Sequence, residues 1–129
     1  MSPNTLLILL LLFLVALVIL RRWMISRNLS HYSANEVAEK TKSTTLAILL
    51  DVRTVAEYSR DKIKGSINIP LHELRRRMFE LEKYREREII VYCASGNRSI
   101  PATQLLMKNG FKAANLRGGL AAWQAIRNN

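Results

Sequence analysis

Apolar residues follow two patterns along this chain of 129 residues. The first is continuous, because every residue from Leu6 through Leu20 is apolar and none is glycine or proline. The second is a series of short apolar runs with the length of buried strands. These predicted strands cover residues 46–52, 65–70 (a turn and a short strand ended by proline), 89–92 and 111–116.

The segments between these runs have helical spacing or helix-capping signals. Ser33 and Glu36 stand three residues apart, as in a capping box, and Thr54 can cap another short helix. Residues 41–45 are predicted to form a polar turn, and Trp123 is expected to be buried. The predicted helices cover residues 34–40, 55–60, 71–83, 100–109 and 120–127. Strands that alternate with helices predict an α/β domain with a parallel sheet covered on both faces.

The N-terminal apolar segment predicts a single-pass transmembrane helix. Its length is near the lower limit of about 17 residues for a spanning helix. No basic residue precedes it and no A-x-A cleavage pattern is present, whereas Arg21, Arg22 and Arg27 follow directly. By the positive-inside rule, this asymmetry places the domain that follows in the cytoplasm. We therefore expect residues 1–30 to be a membrane anchor with a basic connector, and residues 31–129 to be one domain.

The formal net charge of +10 raises the question of an anionic partner. Outside the helix flank, basic residues are interleaved with acidic ones, as at residues 72–77 and 82–88. No motif combines basic and aromatic residues as nucleic-acid-binding modules do, so nucleic acid is not the predicted partner. Beside a membrane, the excess positive charge favours anionic lipid or an anionic substrate.

The only cysteine, Cys93, follows a predicted buried strand and precedes a loop and a predicted helix. A helix N-terminus presents unpaired N–H groups, which stabilise a thiolate and attract small anions. A single cysteine forms no intrachain disulfide, and a reactive thiol persists best in a reducing compartment. We therefore interpret Cys93 as a nucleophile; the alternative is an inert buried cysteine.

Three blocks of sequence together resemble a single-domain rhodanese, a sulfurtransferase module. The first is Asp51-Val52-Arg53 with Glu57-Tyr58 and the segment 63–70. The second is Val91 to Ser99, and the third runs from Gly110-Phe111 through Leu116-Arg117-Gly118-Gly119 to Trp123. The resemblance covers roughly residues 31–127 and implies the rhodanese fold, preceded here by the apolar helix.

The resemblance also implies a mechanism and a set of site residues. Cys93 would take sulfane sulfur from a small anionic donor such as thiosulfate, become a persulfide, and pass sulfur to a thiol or a cyanide-like acceptor. No metal or organic cofactor is expected. Asp51 and Arg53 are expected to form a structural polar pair near the loop. The backbone N–H groups expected to bind substrate belong to Ala94, Ser95, Gly96, Asn97, Arg98 and Ser99, with the Arg98 side chain binding the donor anion and Gly96 turning the loop.

Two departures from the family pattern and three alternative functions remain. Asp61-Lys62 replaces a Gly-His pair common in rhodaneses, and Ala94 replaces a basic or aromatic residue, which leaves thiosulfate less well specified as the donor.

A cysteine phosphatase is disfavoured because Arg98 follows Cys93 by five positions, one fewer than in phosphatase loops. A cysteine–histidine hydrolase has no recognisable motif around His31 or His72. The third alternative is a membrane-tethered interaction module without turnover, which would bind a membrane protein partner.

Overall fold

The computed structural model describes residues 1–42 and 46–128. The chain begins with helix α1 (Pro3–Arg27), which Ser2 caps through a hydrogen bond from the Thr5 N–H group. Its segment Pro3–Met24 is long and apolar enough to cross a membrane by length and composition, and none of it is buried. The expected basic connector is therefore helical as far as Arg27.

In the part of the chain that the structure describes, five parallel strands form one sheet in the order β1-β5-β4-β2-β3. The strands are β1 (Ser30–Tyr32), β2 (Ala47–Asp51), β3 (Ile67–Asn68), β4 (Glu88–Tyr92) and β5 (Ala113–Leu116). Ile89, Ile90 and Val91 of the central strand are fully buried. Successive side chains of a strand point to opposite faces, so burial of all three shows that both faces of the sheet are covered.

Helices cover the sheet on both sides, which confirms the predicted fold class. They are α2 (Ala34–Thr41), α3 (Val55–Arg60), α4 (Leu71–Arg77), a 3₁₀ helix (Met78–Tyr84), α5 (Ser99–Lys108) and α6 (Gly119–Arg127). One core cluster includes Leu74 of α4 and Leu106 of α5. The other includes Val37 of α2 and Leu120 of α6. Cys93 belongs to the first cluster, so the candidate nucleophile is anchored in the core.

The predicted helix over residues 71–83 changes its geometry at Met78. Its second half is a 3₁₀ helix, in which side chains three positions apart lie on the same face. Met78, Leu81 and Tyr84 have this spacing, and all three pack in the first core cluster. The sequence spacing of 71–83 fits both helix types, and packing against the sheet decides between them.

The edge strand β1 has no counterpart in the sequence prediction. Its three residues, Ser30–Tyr32, carry no apolar run, and they form a strand because they pair with Ala114–Leu116 of β5. Other differences are small: β5 starts at Ala113, Leu46 is exposed, and Trp123 is half-buried. In the predicted turn 41–45, Thr41 ends α2, and residues 43–45 lie outside the described residues.

Candidate active site

Cys93 lies at the carboxyl edge of the sheet, directly after β4. The segment 93–98 then forms a loop that leads into the N-terminus of α5. The Gly96 N–H group donates to Cys93 Sγ at 3.1 Å, and Ser99 Oγ lies 3.5 Å from the same sulfur. The side chain is almost completely buried, with 1% of its surface exposed. The loop therefore wraps around the sulfur and turns hydrogen-bond donors inward.

The surroundings of the sulfur favour its ionised form. Burial alone would raise the pKa of the Cys93 thiol, because a low-dielectric interior disfavours charge. The Ser99 hydroxyl and the N–H groups of Ser99, Gly96 and Ser95 act in the opposite direction. Their combined effect prevails, and the pKa of Cys93 is lowered from its ordinary value. This is the environment of a nucleophilic thiolate.

The shape of the loop depends on glycines at two places. Gly96 has a φ of +104°, a conformation that L side chains rarely adopt. Gly119 has a φ of +59°, and a Cβ placed there would lie 2.3 Å from the Cys93 carbonyl oxygen. The close approach lets the N–H groups of Leu120 and Ala121 bond the carbonyls of Cys93 and Ala94 at 2.8 and 3.1 Å. The N-terminus of α6 thus holds the start of the loop.

Replacing Gly119 with alanine is expected to displace this loop, because a Cβ cannot occupy a position 2.3 Å from backbone oxygen. We expect alkylation of Cys93 by iodoacetamide at neutral pH to slow by roughly tenfold or more, as the donors around the thiolate move apart. Gly65→Ala is the matched control, since Gly65 also has positive φ but a Cβ there meets no atom of the described residues within 4 Å. Equal alkylation rates in both variants would contradict the role of Gly119.

Arg98 is engaged by a carboxylate on a neighbouring helix. Its two terminal nitrogens each donate to one Glu57 oxygen at 2.8 Å. Glu57 also accepts the Thr54 N–H group as part of the α3 capping box. The Arg98 hydrogen bonds, together with the cap, hold the pKa of Glu57 far below its usual range. The carboxylate is therefore charged at neutral pH and fixes the guanidinium at the rim of the loop.

Asp51 and Arg53 form the buried polar pair that the sequence predicted. Arg53 Nη2 donates to Asp51 Oδ2 at 2.7 Å, and Nε contacts both carboxylate oxygens. Arg53 also donates to the carbonyl oxygens of Glu57 in α3 and of Asp61, the residue that ends this helix. The pair therefore connects the end of β2 to the helix that carries Glu57.

The structure brings most predicted site residues together around Cys93, and it adds others. Ser95, Gly96 and Ser99 direct donors at the sulfur, whereas the Arg98 side chain points to Glu57. Ala94 contributes a carbonyl to the α6 contact, and Asn97 is exposed. Sequence reasoning assigned no site role to Glu57, although its capping-box spacing from Thr54 was visible. It also missed the position of Asn115 and His31, which no local pattern reveals.

The described residues around Cys93 include no recognisable metal-binding cluster. Within residues 1–42 and 46–128, no group of three or more His, Cys, Asp or Glu side chains is arranged to hold a metal ion. The site instead offers a sulfur nucleophile, convergent N–H donors and a guanidinium at its rim. This set of groups suits covalent chemistry on a small anion.

Residues 33–126 match the family described as "Rhodanese-like domain". A sulfurtransferase from Allochromatium vinosum is 38% identical over 95 residues, which cover 69% of this chain and 87% of that protein. The putative sulfur carrier protein YrkF of Bacillus subtilis is 37% identical over 86 residues, 66% of this chain but 45% of that longer protein.

Solved structures show the same similarity. A rhodanese-related protein from Thermoplasma volcanium matches with a TM-score of 0.69 at 34% identity, over 75% of this chain and 92% of that chain. A thiosulfate sulfurtransferase from Pseudomonas aeruginosa matches with a TM-score of 0.70 at 34% identity, over 78% of this chain and 20% of that chain. The chain belongs to the rhodanese-like family, as its sequence blocks predicted, and at family level it is a sulfurtransferase module.

Proposed function

We propose that this protein transfers sulfane sulfur through a persulfide on Cys93, from an anionic donor such as thiosulfate to a thiol or cyanide-like acceptor. The observation that carries the proposal is the environment of the Cys93 sulfur, which accepts a hydrogen bond from the Gly96 N–H group at 3.1 Å. The same environment lowers the pKa of the Cys93 thiol. A lowered pKa increases the share of thiolate, and the donors that stabilise the thiolate also suit a negatively charged persulfide.

The proposed reaction has two displacement steps. The Cys93 thiolate attacks the outer sulfur of thiosulfate, a new S–S bond forms, and the bond to the sulfonate sulfur breaks with its electron pair leaving as sulfite. The acceptor then attacks the outer sulfur of the Cys93 persulfide, takes that sulfur, and the thiolate returns. Both steps conserve charge and need no further oxidant or reductant. The scheme predicts ping-pong kinetics.

The first test is the intact mass of the full-length chain, purified in detergent, after incubation with thiosulfate. Loading of one sulfur corresponds to a gain of about 32 Da, as a covalent intermediate requires. Protein alkylated beforehand with iodoacetamide serves as the control and should gain nothing. If neither thiosulfate nor polysulfide adds mass, the non-enzymatic interaction module becomes the better account.

We further propose that Arg98 attracts the donor anion while Glu57 holds the guanidinium in place. The guanidinium side chain is 38% exposed, so it remains open to solvent beyond its two bonds to Glu57. It also lies close enough to Cys93 for the two charges to interact. A donor anion at the loop would therefore meet the cation on its way to the sulfur.

Replacing Glu57 with glutamine tests this assignment, because it removes the competing negative charge and keeps a capping oxygen. We expect the KM for thiosulfate to fall by about two- to fivefold, as for other partly exposed charges, with little change in kcat. Glu36→Gln is the matched control, since Glu36 occupies the same position of the α2 capping box. A KM that stays constant would contradict a role of Arg98 in binding the donor, whereas a KM that rises would show that the position Glu57 gives the guanidinium matters more than the charge that the variant removes.

We also propose that α1 anchors the protein in a membrane, with the domain on the cytoplasmic side. In addition to Arg21 and Arg22, the basic residues Arg75 and Lys108 lie near the end of α1, where an open groove of about 750 Å³ separates it from α4 and α5. Basic side chains at this end of α1 would be attracted to the anionic surface of the cytoplasmic leaflet. Release of the protein from membranes by alkaline carbonate would contradict the anchor.

A further inference from the structure

A line of hydrogen bonds leads from Cys93 to the surface through the buried side chains of Ser99 and Asn115. Ser99 Oγ lies 3.5 Å from Cys93 Sγ and 2.5 Å from Asn115 Oδ1. Asn115 Nδ2 in turn lies 3.0 Å from His31 Nδ1. Ser99 and Asn115 are 0% and 2% exposed, whereas His31 stands exposed on the edge strand β1. His31 and Asn115 are register partners of β1 and β5.

Ser99 has one hydroxyl proton for three neighbouring acceptors. Asn115 Oδ1 lies at 2.5 Å, the Gly96 carbonyl at 3.2 Å and Cys93 Sγ at 3.5 Å. The shortest of these contacts attracts the proton most strongly, and while the proton lies there Ser99 Oγ faces the sulfur with a lone pair. A thiol can donate to that lone pair, but a thiolate cannot. Asn115 therefore competes with the ionised sulfur for the Ser99 proton.

The orientation of the Asn115 amide is determined at its other end. His31 Nδ1 accepts from Asn115 Nδ2, which leaves Oδ1 to face Ser99. If the amide turns over, Nδ2 donates to Ser99 Oγ, and the Ser99 proton points to the sulfur. Oδ1 then faces His31, whose Nδ1–H tautomer can donate to it. The two ends of the amide have nearly the same size, so this turn needs no additional space.

We propose that Asn115, oriented by His31, is a positioning residue that decides whether Ser99 gives its proton to the Cys93 sulfur. In the orientation seen here, Asn115 draws the Ser99 proton towards itself, which weakens the contribution of the hydroxyl to the stability of the thiolate. In the turned orientation, the Ser99 hydroxyl donates towards the sulfur together with the N–H groups of Ser95, Gly96 and Ser99, and the thiolate or persulfide is favoured. The inference rests on the proposed function only in taking Cys93 as the reacting group.

The test measures the rate at which iodoacetamide alkylates Cys93 at pH 7, in the full-length chain in detergent. Asn115→Leu, which keeps the side-chain volume, should alkylate about three- to fivefold faster, because one hydrogen bond is returned to the thiolate. Ser99→Ala should alkylate about three- to fivefold more slowly than Asn115→Leu, because it has no hydroxyl to donate to the sulfur. In the double variant the gain from Asn115→Leu should vanish, since Asn115 acts only through Ser99. A purely structural role would give additive effects in this cycle.

A second pair of variants covers the case in which Asn115→Leu does not fold. His31→Ala removes the group that orients the amide and should speed alkylation about twofold, because the amide is then free to turn. His72→Ala is its matched control, an exposed histidine on α4. The proposal is overturned if His31→Ala matches the wild type, or if Asn115→Leu is slower or keeps its effect without Ser99. These rates are independent of sulfur loading, so failure of the proposed function would be seen separately in the mass experiment.

Discussion

Replacing Cys93 with serine is expected to abolish sulfur loading and to reduce sulfur transfer to cyanide by on the order of a thousandfold or more. A serine hydroxyl does not ionise near neutral pH, and its oxygen forms no persulfide. The same N–H donors would surround the new oxygen, and the buried position accepts its similar size. Intact mass and thiocyanate formation measure the two effects.

Ser95→Ala is the control for this variant, because it changes an exposed side chain of the same loop while its N–H group is kept. It should load sulfur as the wild type does. If Cys93→Ser still gained about 32 Da, sulfur would be carried elsewhere and the covalent scheme at Cys93 would be wrong.

Replacing Arg53 with methionine is expected to lower the free energy of unfolding by about 3–5 kcal/mol, as when one partner of a buried ion pair is removed. Asp51 is fully buried, and Arg53 supplies most of the donors around its carboxylate. The variant would leave that charge with the backbone N–H group of residue 53 but no cation beside it, and the carbonyls of Glu57 and Asp61 would lose the Arg53 donors. Urea unfolding of the full-length chain, followed by circular dichroism, measures the loss.

Lys64→Met controls for the loss of a surface cation, since Lys64 is exposed in the loop before β3. It should change stability by less than about 0.5 kcal/mol. In the double variant Asp51→Leu with Arg53→Met, part of the lost stability should return, because no unpaired charge stays buried. A loss below about 1 kcal/mol for Arg53→Met alone would argue against the supporting role of the pair.

These two predictions concern one connected structure. Arg53 holds the end of α3, α3 presents Glu57, and Glu57 holds Arg98 at the rim of the loop around Cys93. Each link consists of hydrogen bonds with at least one charged partner, which are stronger and more directional than neutral ones. We therefore propose that Asp51 and Arg53 support the loop without contacting the substrate.

Much of the fold was predictable because its signals are local. The alternation of apolar runs with helical segments predicted the parallel α/β sheet, and the capping box at Ser33 and the capping residue Thr54 correctly placed the starts of α2 and α3. Strand β1 was missed because three residues without an apolar run form a strand only through their pairing with β5. The change to a 3₁₀ helix at Met78 was missed for a similar reason, since packing against the core selects that geometry.

The sequence by itself determined the family, the class of fold and the position of the single thiol after a buried strand. These depend on the order of apolar runs, on capping residues and on motifs that are contiguous in the chain. Only the tertiary structure decided what surrounds that thiol. The α6 N-terminus, which begins at Gly119, bonds the start of the loop, and Glu57 forms an ion pair with Arg98. Asn115 of β5 contacts Ser99 and is itself hydrogen-bonded to His31 of β1. Such contacts join residues between 16 and 84 positions apart, and only the packing of the sheet brings them together.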